Sequence, residues 1–426
     1  MSGVKGYFYN TLWMMSRPVL RLAAAFCVGI FVIRYLGPAQ FGQLSFAESF
    51  ARLFMPLVVL GMDPILVKDL VTDSEKSDAM LGTALVLKII GFIGAFICVC
   101  IAVQFTSTDR ITKLMTIIIA LSLCSFPPIN VLEQHFHAQV KAKFTSFCEN
   151  VSVFISAGLK ALFVSLRFSV VWFAVVIVIE RVCRMILIIC VYIRHGGCFS
   201  TWTFNRKYAG ELMRLSWPLL LSGVSSVLYL RVDQVMIKEM IGNEALGNYA
   251  AAVRLSELWY FIPMTICASL FPAIVAAKNA SHELFLNRMH NLYAFLFWIA
   301  IVIALPMSFL STVIVTTLFG ESFAQAGPVL SIHIWAAVFF FFQTASSRWL
   351  ISQGQTRKIL YLNAGGLGIN LFLNFILIPC MGISGAAVAT LVAQFYSGFL
   401  YDALDKDMRT SFLLKLKVWT PFWRIV

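Results

Sequence analysis

The chain has 426 residues, 60% hydrophobic and 12% charged, with a mean hydropathy of +0.85. Soluble domains carry about 25% charged residues, so a soluble fold is excluded, and the unbroken apolar runs Ile89–Val103 and Ile299–Leu310 exclude the alternating pattern of a membrane barrel. The formal net charge of +13 points to membrane topology and not to nucleic acid, because cytoplasmic loops collect Lys and Arg.

A crossing helix needs about 20 apolar residues. Twelve such stretches are predicted, at roughly 12–36, 41–63, 79–104, 111–134, 144–166, 168–193, 214–240, 245–275, 285–318, 326–350, 358–379 and 383–403. Within the first, Leu22–Ile33 resembles the apolar core of a signal peptide. Arg17 and Arg21 precede it in what reads as one longer helix that runs directly into a second span, so it is taken as a crossing. The second span carries Glu48 and Arg52, spaced i,i+4 with the acid first. Lys88 lies in the third. Glu149 and Lys160 lie in the fifth, about three turns apart on one face. The sixth holds Glu180, Arg181 and Arg184, the seventh Arg231 and Asp233, and the eighth Arg254 and Glu257. Spans nine to twelve hold almost no ionisable residues.

With the N-terminus placed inside, the inner segments carry Lys68, Lys141, Lys143, Arg206, Lys207 and the tail's Lys406, Arg409, Lys415 and Lys417. The outer ones carry only Arg34, Arg110, Lys113, Arg167 and Lys238, which predicts both termini in the cytoplasm. The tail SFLLKLKVWTPFWRIV mixes Lys with Trp and is expected on the inner surface. A weak internal repeat links "LGPAQFGQLSFAESFARL" after span 1 with "IGNEALGNYAAAVRLSEL" after span 7, both reading Gly-x4-Gly. A second echo links "FHAQVKAKF" after span 4 with "LISQGQTRKI" after span 10. Six helices separate each element from its partner. The expected architecture is therefore an all-α membrane protein of two six-helix lobes, 1–200 and 201–404, around a central cationic cavity, followed by a basic tail at 405–426.

A charge at the bilayer centre costs about 2.5–3.5 kcal/mol even on the lenient insertion scale. Glu48–Arg52, Glu180–Arg184 and Arg254–Glu257 read as salt bridges along single helices. Arg17, Arg21, Lys88 and Lys160 have no acid on their own faces, so they are expected to meet water or an anionic ligand. A guanidinium fork suits phosphate oxygens, and a diphosphate headgroup fits such a cavity best. No GxxxxGK[ST] loop is present, so the chain does not read as an ATP-driven pump. The small-residue runs at Gly365–Gly368 and Gly385–Thr390 read as helix packing. No enzyme constellation emerges, and the loops are too short for a catalytic domain. His135 and His137 lack a third ligand, so no metal is expected. The ten cysteines form no CxxC pair and read as buried free thiols.

The segments "YLGPAQFGQLSFAESF", "LGMDPILVKDL", "LRVDQVMIKEMIGNEALGNYAAAVRLSELWYFIP", "LFPAI" and "IPCMGISGAAVATLVAQF", in this order from about residue 10 to residue 400, resemble the bacterial polysaccharide flippases of the O-antigen (Wzx) type. These belong to the multidrug/oligosaccharidyl-lipid/polysaccharide exporter superfamily. The resemblance implies twelve helices in two lobes, the bacterial inner membrane, and transfer of undecaprenyl-diphosphate-linked oligosaccharide repeat units to the periplasmic leaflet. It also implies that arginines of the first helices and of helices 7 and 8 line the cavity, which makes Arg17, Arg21, Arg52 and Arg254 candidate ligands. Lys88 and Lys160 join them from the reading of the charges. Arg231 and Asp233 are read as a gate or coupling pair. Glu48, Asp233 and Glu257 are the candidates for proton or sodium coupling, and no other cofactor is expected. A polysaccharide polymerase and a chain-length regulator are the partners implied. Two rivals stand beside this reading. A cation-coupled drug exporter of the same superfamily would favour acidic and aromatic cavity residues over arginines. A membrane-embedded glycan polymerase would carry a large periplasmic loop, which is not seen.

Overall fold

The computed structural model describes residues 2–418, with side chains from Cys27 onward except that of Ser74; these residues form helices and turns and no strand. In chain order the helices are α1 (Ser2–Leu53), α2 (Met55–Val59), α3 (Asp63–Thr72), α4 (Ser77–Ala102), α5 (Arg110–Leu121), α6 (Phe126–Ala138), α7 (Ala142–Ser165) and α8 (Val170–Arg194). They continue with α9 (Arg206–Met240), α10 (Asn243–Glu257), α11 (Phe261–Ala280), α12 (His282–Phe309), α13 (Ser311–Phe319), α14 (Ala326–Ser352), α15 (Arg357–Met381), α16 (Ile383–Phe395), α17 (Tyr401–Leu404) and α18 (Arg409–Leu416). Among the described residues, ten stretches are long and apolar enough to cross a membrane. One of them, Cys27–Thr72, runs for 46 residues and takes in the end of the first predicted crossing and all of the second. The predicted crossing at 168–193 is α8, which falls outside the ten because Glu180, Arg181 and Arg184 interrupt its apolar run. The all-α membrane class holds.

The chain packs as two compact units, Met1–Leu36 with Gln43–Val227, and Gly37–Gly42 with Leu228–Val426. In the first unit one core gathers Met62, Leu66 and Leu70 against Met80, Leu81, Ala84 and Val131. A second joins Ile129, Leu132 and Phe136 of α6 to Cys148 of α7 and Ile188 and Tyr192 of α8. Between α2 and α3 the helix is broken by Leu60 (φ 56°) and Gly61 (φ 67°). In the second unit α14 is central. Its apolar window is 72% buried, against 22% for α15, and it packs against α10, α11, α12, α13 and α16. Tyr260 stacks on Phe340 at 3.9 Å and 11° within this unit. The cysteines correct one expectation. Only Cys148 and Cys267 are buried; Cys198 is exposed in the connection after α8, and Cys27, Cys98, Cys124, Cys190 and Cys380 are exposed on helical stretches, where a thiol is apolar enough to meet lipid.

The two repeated segments each begin at a glycine with positive φ and extended ψ. α1 is broken at Gly37 (φ 67°, ψ 172°), and Gly242 (φ 128°, ψ −176°) precedes α10. Five residues on from each break comes the second glycine of the motif, and here the two copies meet inside the second unit. A Cβ on Gly42 would overlap the carbonyl of Asn243, and a Cβ on Gly247 would overlap the carbonyl of Pro38. The contact is reciprocal, since Pro38 follows one break as Asn243 follows the other. Only a residue without a side chain lets two backbones approach this closely.

The second echo is equally regular. After α6, Gln139, Val140 and Lys141 donate their N–H groups to the carbonyls of His135, His137 and Phe136. After α14, Gln353, Gly354 and Gln355 donate to Trp349, Ile351 and Leu350 in the same pattern. Gly354 takes the left-handed conformation (φ 73°) that glycine adopts freely, whereas Val140 is forced into it (φ 57°). A β-branched residue is strained there. Val140→Gly is therefore expected to stabilise the protein by about 0.5–1 kcal/mol, the relieved strain less the entropy that glycine loses. Thermal unfolding in detergent measures this, and a lower melting temperature would contradict it.

Candidate functional site: buried charges and a buried oxygen cluster

The first unit holds a network of charges inside the membrane-spanning helices. Lys88 of α4 is fully buried, and its Nζ lies 2.5 Å from Asp63 Oδ1. The same ammonium donates to Asn130 Oδ1, and Asn130 Nδ2 donates to Asp63 Oδ2 at 3.0 Å, so the three side chains form a closed ring. Asp63 reaches this position because the break at Leu60–Gly61 starts α3 there, with Pro64 in its first turn. Arg184 of α8 pairs with Glu133 of α6 and, at 3.0 Å, with Glu149 of α7. Lys160 Nζ lies 3.7 Å from Glu180 Oε2, and Arg181 donates to Ser122 Oγ at 2.7 Å. Arg52 pairs with Glu48 at 2.5 Å, and 47% of the Arg52 side chain stays exposed.

The second unit has fewer charges and more neutral oxygens. Arg231 Nη2 donates to Glu257 Oε2 at 2.9 Å. Asp233, 4% exposed, turns elsewhere, since residues two apart on a helix point to different faces. Its Oδ1 accepts from the Gln234 N–H at 2.7 Å, and its Oδ2 accepts from Tyr249 Oη. Tyr249 Oη is 3.5 Å from Thr390 Oγ1, to which Asn370 donates at 3.3 Å. Asn374 then donates to Asn370 Oδ1 at 2.9 Å. The chain Asp233–Tyr249–Thr390–Asn370–Asn374 thus links α9, α10, α16 and α15. Asn374 Oδ1 and Gln394 Oε1 are buried acceptors without a donor. Such oxygens are costly unless something supplies positive charge or a hydrogen. Arg254 is exposed, with its guanidinium 5.1 Å from the centre of the Phe41 ring.

These placements correct several pairings. Lys88 and Lys160, read as having no acid on their own faces and so expected to meet water or an anionic ligand, have Asp63 and Glu180 on other helices. Glu180 bridges to Lys160, while Arg184 takes Glu133 and Glu149. Glu257 bridges to Arg231. Helical spacing shows which residues share a face of one helix, and it says nothing of a partner on another. Arg231 and Asp233, read as a gate or coupling pair, bond to different groups. Of the predicted ligands, Arg52 and Arg254 are exposed, Lys160 is 28% exposed and Lys88 is sealed. Arg17 and Arg21 lie outside the described side chains. Tyr249, Asn370, Asn374, Thr390 and Gln394 were not predicted. Their signal was present as polar residues four apart in apolar spans, Asn370 with Asn374 and Thr390 with Gln394, but these four carry no charge.

Residues 8–278 match the family described as "Polysaccharide biosynthesis protein". The chain belongs to this family. Residues 218–376 also match the family named MatE, so the polysaccharide biosynthesis match contains the charge network and the MatE match contains Asp233, Tyr249, Asn370 and Asn374. The "Probable flippase AglR" of Haloferax volcanii is 24% identical over 228 residues, 50% of this chain and 47% of that protein. An uncharacterized membrane protein of Methanocaldococcus jannaschii is 26% identical over 50% of this chain and 42% of its own length. The "Probable multidrug resistance protein NorM" of Burkholderia pseudomallei is 25% identical over 46% of this chain and 44% of its own. The matched region thus spans less than half the length of these relatives. Among solved structures, an inward-facing multidrug resistance MATE family transporter of the MOP superfamily superposes with a TM-score of 0.77 at 16% identity, covering 95% of this chain and 99% of that one. The lipid II flippase MurJ in an inward closed conformation gives 0.73 at 14% identity, covering 98% and 92%. This polysaccharide biosynthesis family member therefore has the MATE-like transporter fold.

Proposed function

We propose that the protein is a flippase that carries a lipid-linked oligosaccharide with an anionic diphosphate, such as an undecaprenyl-diphosphate-linked repeat unit, from the cytoplasmic to the periplasmic leaflet. The observation that carries this reading is the division among the cations. Lys88 is sealed against Asp63 and Arg184 is held between Glu133 and Glu149, whereas Arg52, although it pairs with Glu48, stays 47% exposed and Arg254 is exposed too, each in the stretch that follows a repeat break. An exposed guanidinium within an apolar helical protein is suited to phosphate oxygens. Membership in a polysaccharide biosynthesis family supports the substrate class. The same reading places the protein in the bacterial inner membrane with both termini cytoplasmic, working beside a polymerase and a chain-length regulator, and assigns it no catalytic step.

Coupling is assigned to the Asp233 cluster. One carboxylate, a phenol, a hydroxyl and two amide oxygens, that of Asn374 without a donor, suit a small hard cation or a proton. This cluster also supports the second reading, a cation-coupled drug exporter, because it lies in the unit that carries the MatE match. Purified protein in liposomes separates the readings. The expected result is movement of a diphosphate-linked oligosaccharide that depends on sodium or protons and loses this dependence in Asp233→Asn. Efflux of a cationic dye without oligosaccharide movement would favour the drug exporter, and lengthening of the glycan would make the protein a polymerase.

A further inference from the structure

The last crossing of the second unit is not a uniform α-helix. After α16, the stretch Tyr396–Leu400 forms a π-turn, in which the Tyr401 N–H bonds to the Tyr396 carbonyl five residues back, and α17 follows. A π-turn inserts one residue into the helical count, is rare, and persists where something holds it. The holder is the short helix α18. Lys415 Nζ donates to the Gly398 carbonyl at 2.6 Å and lies 2.7 Å from Asp402 Oδ2, with both side chains fully buried. The ammonium also lies 5.3 Å from the ring centre of Tyr293 and 5.6 Å from that of Phe342. Asp402 Oδ2 further accepts from Ser411 of α18 at 2.7 Å and from Ser346 of α14 at 3.2 Å, and Tyr293 Oη meets Ser411 Oγ at 2.6 Å. Phe412 packs on the edge of Phe399 at 5.0 Å.

This is a costly way to seat a helix of eight residues. Burial pushes the Lys415 ammonium below its ordinary pKa, and the attraction of Asp402 offsets only part of that. A buried ion pair is weak evidence for stability, because apolar residues of the same volume do as well. What the pair fixes is a position. Thr390, whose hydroxyl belongs to the coupling cluster, stands two turns before Gly398 on the same helix. The loss of one residue from the helical count would rotate it by about 100° relative to Asp402.

We propose that α18 is a register lock for the coupling cluster, with Lys415 a positioning residue that holds the π-turn and so aims Thr390 at the Asp233–Tyr249–Asn370 group. The inference rests on the reading of that cluster as the cation site. The opposite face of the π-turn supports the lock, because a Cβ on Gly398 would overlap the Phe339 carbonyl of α14. The turn is therefore gripped between α14 and Lys415 and has no room to migrate along the helix.

The test uses the full chain in liposomes, with tryptophan fluorescence titrated by sodium at fixed pH and by pH at fixed sodium. Lys415→Met/Asp402→Leu replaces the pair with apolar side chains of similar size. It is expected to melt near the wild-type temperature while its half-saturating sodium concentration or proton midpoint weakens roughly tenfold to a hundredfold, as when a supporting partner of a metal ligand is removed. Lys415→Arg, which retains a cation and donors, should restore part of the response. If the double variant does not fold, Lys415→Gln in the same assay decides. A cation response in wild type that a folded Lys415 variant shares unchanged overturns the lock alone. No cation response in wild type, or a response in Thr390→Ala equal to that of wild type, removes the coupling reading, and the lock with it.

Discussion

Arg184→Met is expected to destabilise the first unit by about 3–5 kcal/mol, the cost of removing one partner from a buried ion pair. Arg184 is 20% exposed and serves two carboxylates, Glu133 and Glu149, that are 11% and 10% exposed. Without the guanidinium these acids face each other from α6 and α7 with their common counter-charge gone. Arg184→Lys should be milder, because it keeps the charge, but an ammonium cannot reproduce the guanidinium geometry that reaches two acids. The informative variant is Arg184→Met/Glu133→Gln/Glu149→Gln, which removes charge from all three and should recover most of the stability. Thermal unfolding in detergent and the yield of monodisperse protein give the measurement. If the single variant melts at the wild-type temperature, the triad is not a support of this unit.

The second large effect concerns the reciprocal glycines. Gly42→Ala and Gly247→Ala are each expected to cost about 1–3 kcal/mol, the range for forcing extra volume into a packed interior. A new Cβ at either position meets a backbone carbonyl, which cannot swing away as a side chain could. The repeat adds a sharper expectation. Because Gly42 meets Asn243 as Gly247 meets Pro38, the two substitutions should cost nearly the same, and the double substitution should give less than their sum, since the first already parts the backbones. Melting temperatures of the three variants test this. A large effect at one glycine and none at the other would mean that the contact is not symmetric in energy.

The architecture was legible because it rests on one-dimensional signals. Apolar runs near the length of a bilayer crossing identified the spans, and Gly-x4-Gly identified the repeat whose breaks stand at Gly37 and Gly242. The candidate site was legible only in part. Lys88 and Asp63 are separated by 25 residues and Arg184 and Glu133 by 51, and no spacing rule connects residues across helices. The clusters of charge in spans 5 and 6 were visible, but their pairing was decided by which helices pack together. The oxygen cluster was missed for a different reason. Asn370, Thr390 and Tyr249 carry no charge, and within a membrane a neutral polar group is less costly than an ion and so less conspicuous, although it too needs a partner. Lys415 shows the reverse error. Its place in a basic tail suggested the membrane surface, yet it is buried against Asp402 because α18 folds back onto α12 and the π-turn.

The membership of Gly37–Gly42 in the second unit bears on how the protein is made. These six residues leave the ribosome long before α10, whose backbone they will eventually cover at Asn243 and Gly247. The N-terminal helices are thus synthesised with one segment reserved for a neighbour that does not yet exist, and membrane insertion of the early spans cannot be their final folding step. A fragment starting at residue 228 would lack part of its own packing. Two fragments parted near Val227 and produced together would have to exchange this segment in trans before either became complete. Quality control in the cell would therefore meet a half-made chain as an open surface around Gly42, closed only when α10 arrives to receive what was made first.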